Sequence, residues 1–142
     1  MRIVREILDS KGHDVFFVAP TNTVFEAVRV FSEKGVGALL VMESDSLVGL
    51  ITERDYARKI ILEGRSSRET PVQSVMTTSV LCVDPDKTVE ECMALMTDKR
   101  VRHLPVLEAK KVVGVVSIGD LVKAIIAEQK FMIDQLQHYI TH

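Results

Sequence analysis

Gly49-Leu50-Ile51-Thr52-Glu53-Arg54-Asp55 returns 65 residues later as Gly114-Val115-Val116-Ser117-Ile118-Gly119-Asp120. Each stretch runs from a glycine through an apolar pair to a hydroxyl residue, then sets a carboxylate three residues on. Working outward, the same offset aligns residues 15–63 with 80–128 without a gap, matching Pro20/Pro85, Thr23/Thr88, Lys34/Lys99 and Val41/Val106. A repeat of this length is a supersecondary unit duplicated in one chain. Two copies are too few for a solenoid. The expected arrangement is a pair facing each other across a pseudo-twofold axis, with two similar clefts.

Both copies read β-α-β-β-α, which makes the fold class α/β. A short β-rich run (15–18 or 80–83) ends at Pro20 or Pro85. Thr23 and Thr88 stand at N-cap positions with Glu26 and Glu91 in capping-box spacing. The helices that follow carry apolar stripes at i, i+3, i+4 and i+7: Val24, Ala27, Val28, Phe31, and Val89, Cys92, Met93, Met96. Strands over 38–42 and 47–51, and over 103–107 and 112–116, flank polar turns and read as hairpins. Helices over 53–62 and 118–129 close the copies, with Thr52 and Ser117 as N-caps.

Short helical lead-ins precede the copies at 4–10 and 72–76. The expected organisation is residues 1–64 as the first unit with its lead-in, 65–71 as linker, 72–129 as the second unit with its lead-in, and 130–142 as a C-terminal helical tail. That tail repeats nothing in the first copy. Its apolar residues Phe131, Ile133, Leu136 and Ile140 require a packing partner.

Composition narrows the function classes. The 142 residues carry a net charge of −2, which supplies no basic footprint for nucleic acid. Charges interrupt every apolar run before about 18 residues, so no membrane span is expected. The opening residues carry Arg5, Glu6 and Asp9 where a signal peptide needs an apolar stretch. The chain reads as cytoplasmic. Cys82 and Cys92 have no metal or redox spacing and read as reduced core residues. The four histidines at 13, 103, 138 and 142 share no ligand spacing, so no metal is expected.

The motif residues carry the chemistry. A short hydroxyl, free backbone N–H groups and a helix N-terminus at a strand end suit a phosphate. A carboxylate one turn along suits a vicinal diol. Together they describe a grip for a ribose phosphate. The competing reading is structural, because Thr52 to Asp55 and Ser117 to Asp120 also have capping-box spacing.

The layout resembles a tandem pair of cystathionine-β-synthase (CBS) domains, also called a Bateman module. The resemblance rests on Val18-Ala19-Pro20 with Thr23-Val24, Leu39-Leu40-Val41, and Gly49 to Asp55. In the second copy it rests on Val83-Asp84-Pro85 with Thr88-Val89, Arg102-His103-Leu104-Pro105-Val106, and Gly114 to Asp120. The stretch from Thr52 to Lys59 further resembles stand-alone CBS-pair proteins. The resemblance implies adenosine-containing ligands (AMP, ADP, ATP, NAD or S-adenosylmethionine) in clefts between the copies, each ribose diol held by an Asp. One implied site comprises Gly37, Ala38, Thr52, Arg54, Asp55, Arg58, Thr77, Ser79 and Val80. The other comprises Lys11, Asp14, Val15, Phe16, Val36, Gly37, Arg102, His103, Ser117 and Asp120.

The two sites are expected to differ. Arg54 and Arg58 share a helix face by their i, i+4 spacing and suit phosphates as forked donors; the alternative is a solvated face balanced by Glu53 and Glu63. Gly119 replaces Arg54 in the second copy. The resulting expectation is a regulatory adenine-nucleotide sensor, without a catalytic cofactor or enzymatic activity, that signals to a partner protein or oligomer and assembles as a homodimer of CBS pairs. Its rival is a structural dimerisation module whose clefts stay empty.

Overall fold

The structure, a computed structural model, describes residues 2–141. Met1 and His142 lie outside the described residues. In chain order the elements are α1 (Val4–Lys11), β1 (Phe17–Val18), α2 (Val24–Lys34), β2 (Ala38–Glu43), β3 (Ser46–Thr52), α3 (Glu53–Tyr56), α4 (Val89–Lys99), β4 (His103–Glu108), β5 (Lys111–Ser117) and α5 (Ile118–Thr141). They form two α/β units. One is residues 14–81; the other joins residues 2–13 to the second repeat, from Cys82 onward.

In the first-repeat unit, β1 pairs parallel with β2 and β2 pairs antiparallel with β3. Its core comprises Val18, Val24, Ala27, Phe31, Leu39, Val41, Ile51 and Ile60, joined by Val72 and Val75. In the second-repeat unit β4 and β5 form the matching hairpin. Both hairpins shift register at the same repeat position, between Val41 and Met42 and between Val106 and Leu107.

The two copies diverge at their first strand. The sequence suggests a strand over 80–83, yet among the described residues no strand is formed there, and Val83 makes an isolated parallel bridge to Val106. The reason is Pro105. In the first unit the Leu40 amide donates to the Phe16 carbonyl at 3.2 Å. The repeat-equivalent of Leu40 is Pro105, which has no N–H to donate.

Helix caps show a second divergence. Thr88 and Glu91 complete a reciprocal capping box. Thr23 also caps its helix, accepting from the Glu26 amide at 3.2 Å. The Glu26 carboxylate, however, accepts from the Asn22 side-chain amide at 2.6 Å instead of returning to the Thr23 backbone.

The closing helices also part ways. The first is α-helical only to Tyr56 and continues as a π turn from Ala57 to Ile61. The second runs unbroken for 24 residues, so helix and tail are one element, α5. Beyond Gln129 its Phe131, Ile133, Leu136 and Ile140 are exposed.

The lead-ins sit where repeat order alone does not place them. Helix α1 packs with the second repeat: Val4 donates to the Lys87 carbonyl at 2.9 Å, Arg5 to that of Pro85 at 2.8 Å, and Val89 to that of Arg2 at 3.0 Å. The segment 70–77 makes the same three bonds in the first-repeat unit: Val72 to Asn22 at 2.8 Å, Gln73 to Pro20 at 3.0 Å, and Val24 to Thr70 at 2.9 Å. It contains a single 3-10 turn, Val72–Ser74, rather than a helix. Each lead-in thus packs with the repeat it does not precede.

The motif glycines admit these segments. A β-carbon at Gly114 would lie 2.6 Å from Leu8 Cδ2, and one at Gly49 would lie 2.5 Å from Met76 Sδ. Leu8 is buried and has nowhere to go, whereas the Met76 thioether is the adaptable end of a flexible chain. Gly114→Ala is therefore expected to cost about 1–3 kcal/mol, the usual range for overpacking. Denaturant unfolding of Gly114→Ala, Leu8→Ala and the double variant checks this. The double variant should be more stable than the sum of the singles by about 1 kcal/mol, because the new methyl enters the space that Leu8 vacates. Simple additivity would mean that the contact does not set the requirement for glycine.

Candidate functional site

Strand β3 delivers Thr52 to the start of α3, and the hydroxyl and carboxylate then lock together. Thr52 Oγ1 accepts from the Asp55 amide at 3.1 Å. Asp55 Oδ2 accepts in return from the Thr52 amide at 3.0 Å and the Thr52 hydroxyl at 3.1 Å. At the end of β5 the same pair forms. The Ser117 amide donates to Asp120 Oδ2 at 2.8 Å, and the Asp120 amide to Ser117 Oγ at 3.2 Å. Both motifs are reciprocal caps.

This corrects one sequence expectation. The backbone N–H groups at these helix starts are largely committed. Glu53 donates to the Gly37 carbonyl at 3.0 Å and Ile118 to that of Arg102 at 2.9 Å. The third amide of each helix goes to the cap hydroxyl. Only the amide between them, on Arg54 or Gly119, stays open among the described residues. A phosphate grip built on a fan of free amides is not what these turns present.

What they do present is a shielded, lysine-paired carboxylate. The Asp55 side chain is 14% exposed and lies 3.2 Å from the Lys59 ammonium. Lys59 is held from a second side by the Val75 carbonyl at 2.8 Å. The Asp120 side chain is 18% exposed and lies 2.7 Å from the Lys11 ammonium, which also donates to the Val115 carbonyl at 2.9 Å. Burial pushes the Asp120 carboxyl up, but Lys11 and the Ser117 backbone and hydroxyl outweigh it and hold the group below its ordinary value.

The first implied site lies within the first-repeat unit. Gly37 accepts from α3, Ala38 pairs with Thr52 across the hairpin, and Thr77 bridges to Leu50 on β3. Those residues converge on the Asp55 motif. Arg54 and Arg58 are exposed and make no ion pair among the described residues. Arg68, further along, is committed to the Phe25 ring, 3.8 Å from its centroid. Ser79 is exposed and Val80 half-buried at the end of the unit.

The second implied site divides between the units. Lys11, Ser117 and Asp120 are in direct contact in the second-repeat unit. There His103 pairs with Ser117 across the hairpin, and Arg102 offers its carbonyl to α5. Asp14, Val15, Phe16, Val36 and Gly37 belong to the first-repeat unit. Phe16 lies under the Lys34 ammonium, 5.5 Å from the ring centroid.

Lys59 is the residue that sequence reading missed. It closes the stretch from Thr52 to Lys59 and stands four residues beyond Asp55, the helical ion-pair spacing that could have pointed to it; its repeat-equivalent is Ala124. The exchange of lead-ins did leave a signal: Val4, Ile7 and Leu8 match Val72, Val75 and Met76 at an offset of 68 rather than 65. Other candidates stay quiet. Burial pushes the Cys92 thiol up to about 11. Among the described residues no three His, Cys, Asp or Glu gather as metal ligands. No described helix is long and apolar enough to cross a membrane.

Two hairpin-and-helix units with the same hydroxyl–carboxylate turn define a tandem pair of CBS domains. The CBS domain family model matches residues 4–62 and 72–127, and the chain belongs to that family. It is similar to a mitochondrial CBS domain-containing protein of Arabidopsis thaliana, CBSX3. The two are 40% identical over 146 residues, covering 96% of this chain and 71% of that protein. A solved CBS-domain protein of Burkholderia ambifaria is 48% identical with a TM-score of 0.88, covering 90% of this chain and 96% of that one. The fold also matches the CBS pair of protein MJ0100, solved with 5′-methylthioadenosine and S-adenosylmethionine. That pair is 21% identical with a TM-score of 0.77, covering 87% of this chain and 99% of that one.

The Lys11–Asp120 pair makes a pH prediction. A carboxylate held below its unfolded value contributes stability that is complete above that value and is lost as pH falls through the folded one. In a carboxyl-carbon NMR titration, Asp120 should titrate below its ordinary 3.8. Lys11→Met should move it upward and remove its share of acid sensitivity below about pH 4. An Asp120 titration unmoved by Lys11→Met would separate the two groups.

Proposed function

We propose that this CBS pair is a regulatory module that binds adenosine-containing ligands (AMP, ADP, ATP or NAD), with Asp55 and Asp120 as the ribose anchors. One observation carries the reading: the same shielded carboxylate is built twice, at the end of the same strand, with its charge balanced by a lysine. A charged acceptor for two hydroxyls is what a ribose edge requires. The adenosyl ligands of the MJ0100 pair are of this class. The module performs no chemistry of its own and reports occupancy to a partner protein or through contacts between CBS pairs. Regulation of this kind works only if the ligand binds one arrangement better than another.

A second reading has its own support. Ile126, Ile133, Leu136 and Ile140 are exposed along α5, an apolar face suited to homodimerisation. In that reading assembly is the function and the ligand sites stay empty.

Titration calorimetry with AMP, ATP and NAD separates the two. Asp→Asn keeps an oxygen that can cap and removes the charge. Asp55→Asn and Asp120→Asn should each weaken their own site at least tenfold, because a hydrogen bond to a charged group is worth about 1.5–3 kcal/mol. Ligand at a hundredfold excess over its Kd should stabilise the protein by about 2.7 kcal/mol, raise the melting midpoint by several degrees, and be recovered chemically intact. No binding, with concentration-dependent association through α5, would support the assembly reading. Hydrolysis lost on mutating Asp55 or Asp120 would make the protein an enzyme.

A further inference from the structure

The two anchor carboxylates are latched differently. At Asp120, Oδ2 takes both the Ser117 amide and the Lys11 ammonium, at 2.8 and 2.7 Å. Its Oδ1 receives no donor among the described residues. At Asp55, Oδ2 takes the Thr52 amide and hydroxyl, and the Lys59 ammonium sits on Oδ1 at 3.2 Å. One carboxylate offers an open oxygen, and the other has its second oxygen covered.

The covering group is no remnant of the duplication. The repeat-equivalent of Lys59 is the buried Ala124, and Lys11 comes from a lead-in whose counterpart, at the offset of 68, is Ser79. Each lysine is particular to its own unit. Lys59 projects from the π turn and is held at its far side by the Val75 carbonyl at 2.8 Å. Its side chain is 40% exposed, so the ammonium can exchange these two contacts for others by rotation of its four-carbon stem.

We propose that Lys59 is a specificity-determining latch that makes the Asp55 site select phosphorylated ribose ligands over bare nucleosides. The proposal rests on Asp55 and Asp120 being ribose anchors. A neutral diol must displace the ammonium from Oδ1 or share that oxygen with it. A ligand that brings a phosphate draws the ammonium onto itself and uncovers Oδ1 in the same motion. Asp120, with Oδ1 open, makes no such demand and takes nucleoside and nucleotide more evenly. The two sites therefore differ in selectivity, and bare nucleoside fills the Asp120 site first.

The test compares adenosine with AMP by titration calorimetry. Asp120→Asn isolates the Asp55 site, and Asp55→Asn isolates the other. At the isolated Asp55 site, Lys59→Met should tighten adenosine about threefold, the scale of an exposed ion pair, and weaken AMP. The preference for AMP over adenosine then collapses. Lys59→Arg should restore that preference, which a purely structural role would not require. Lys59→Gln serves if the methionine variant fails to fold. At the isolated Asp120 site Lys59→Met should change neither ligand. An AMP-to-adenosine ratio that Lys59→Met and Lys59→Gln leave unchanged at the Asp55 site overturns the latch while leaving the anchors standing. Binding of neither compound at either site overturns the anchor reading itself.

Discussion

At Gly49 and Gly114 a β-strand passes so close to a lead-in segment that even a β-carbon would lie 2.5–2.6 Å from the side chain packed on it. Much of each unit follows from that approach. Met76 and Leu8 press onto the bare strand, and the backbone of each lead-in bonds to the turn that starts the neighbouring helix. The same approach sets the charges at the motif. Leu8 on Gly114 puts Lys11, one helical turn on, within reach of Asp120. Met76 on Gly49 puts the Val75 carbonyl where it holds Lys59 beside Asp55. The glycine that opens each motif and the carboxylate that ends it are coupled through a segment from elsewhere in the chain.

Capping and ligand binding compete less than the sequence suggests. A carboxylate has two oxygens, and in both units a single one, Oδ2, closes the cap. The cap fixes the carboxylate's direction at a strand end without using up its accepting capacity. The paired lysine then offsets the cost of keeping a shielded carboxylate charged. A side chain locked by its own helix turn is also pre-organised, so little rotamer freedom is left for a ligand to remove.

Most of the fold was legible because its signals are local. Alternation of apolar residues, the threonines before α2 and α4, and the polar turns of both hairpins each act over a few residues. The failures lie where a residue outside the repeated pattern decides, near in the chain or far from it. Val80 to Val83 looks like a strand, but the missing donor is at Pro105. Glu26 has capping-box spacing, yet Asn22 claims its carboxylate. The identities of the motif residues were plain in the repeat, and so was the pairing of Ser117 with Asp120 and Thr52 with Asp55. Lys59 was legible only in part: its i, i+4 spacing from Asp55 is that of a helical ion pair, but nothing local shows that the Val75 carbonyl holds it from the other side. The lead-in exchange was hidden by a change of offset, since an alignment at 65 passes over a match at 68.

The exchange also sets an order of events during synthesis. Gly49 and Met76 are 27 residues apart, so the first-repeat unit can close soon after both have left the ribosome. Leu8 must wait for Gly114, 106 residues later. At about 5–20 residues per second that wait is roughly 5–20 s. Through it Val4, Ile7 and Leu8, buried in the finished protein, have no native surface to cover. The lead-in made ahead of the first repeat finds its place only after that repeat can close.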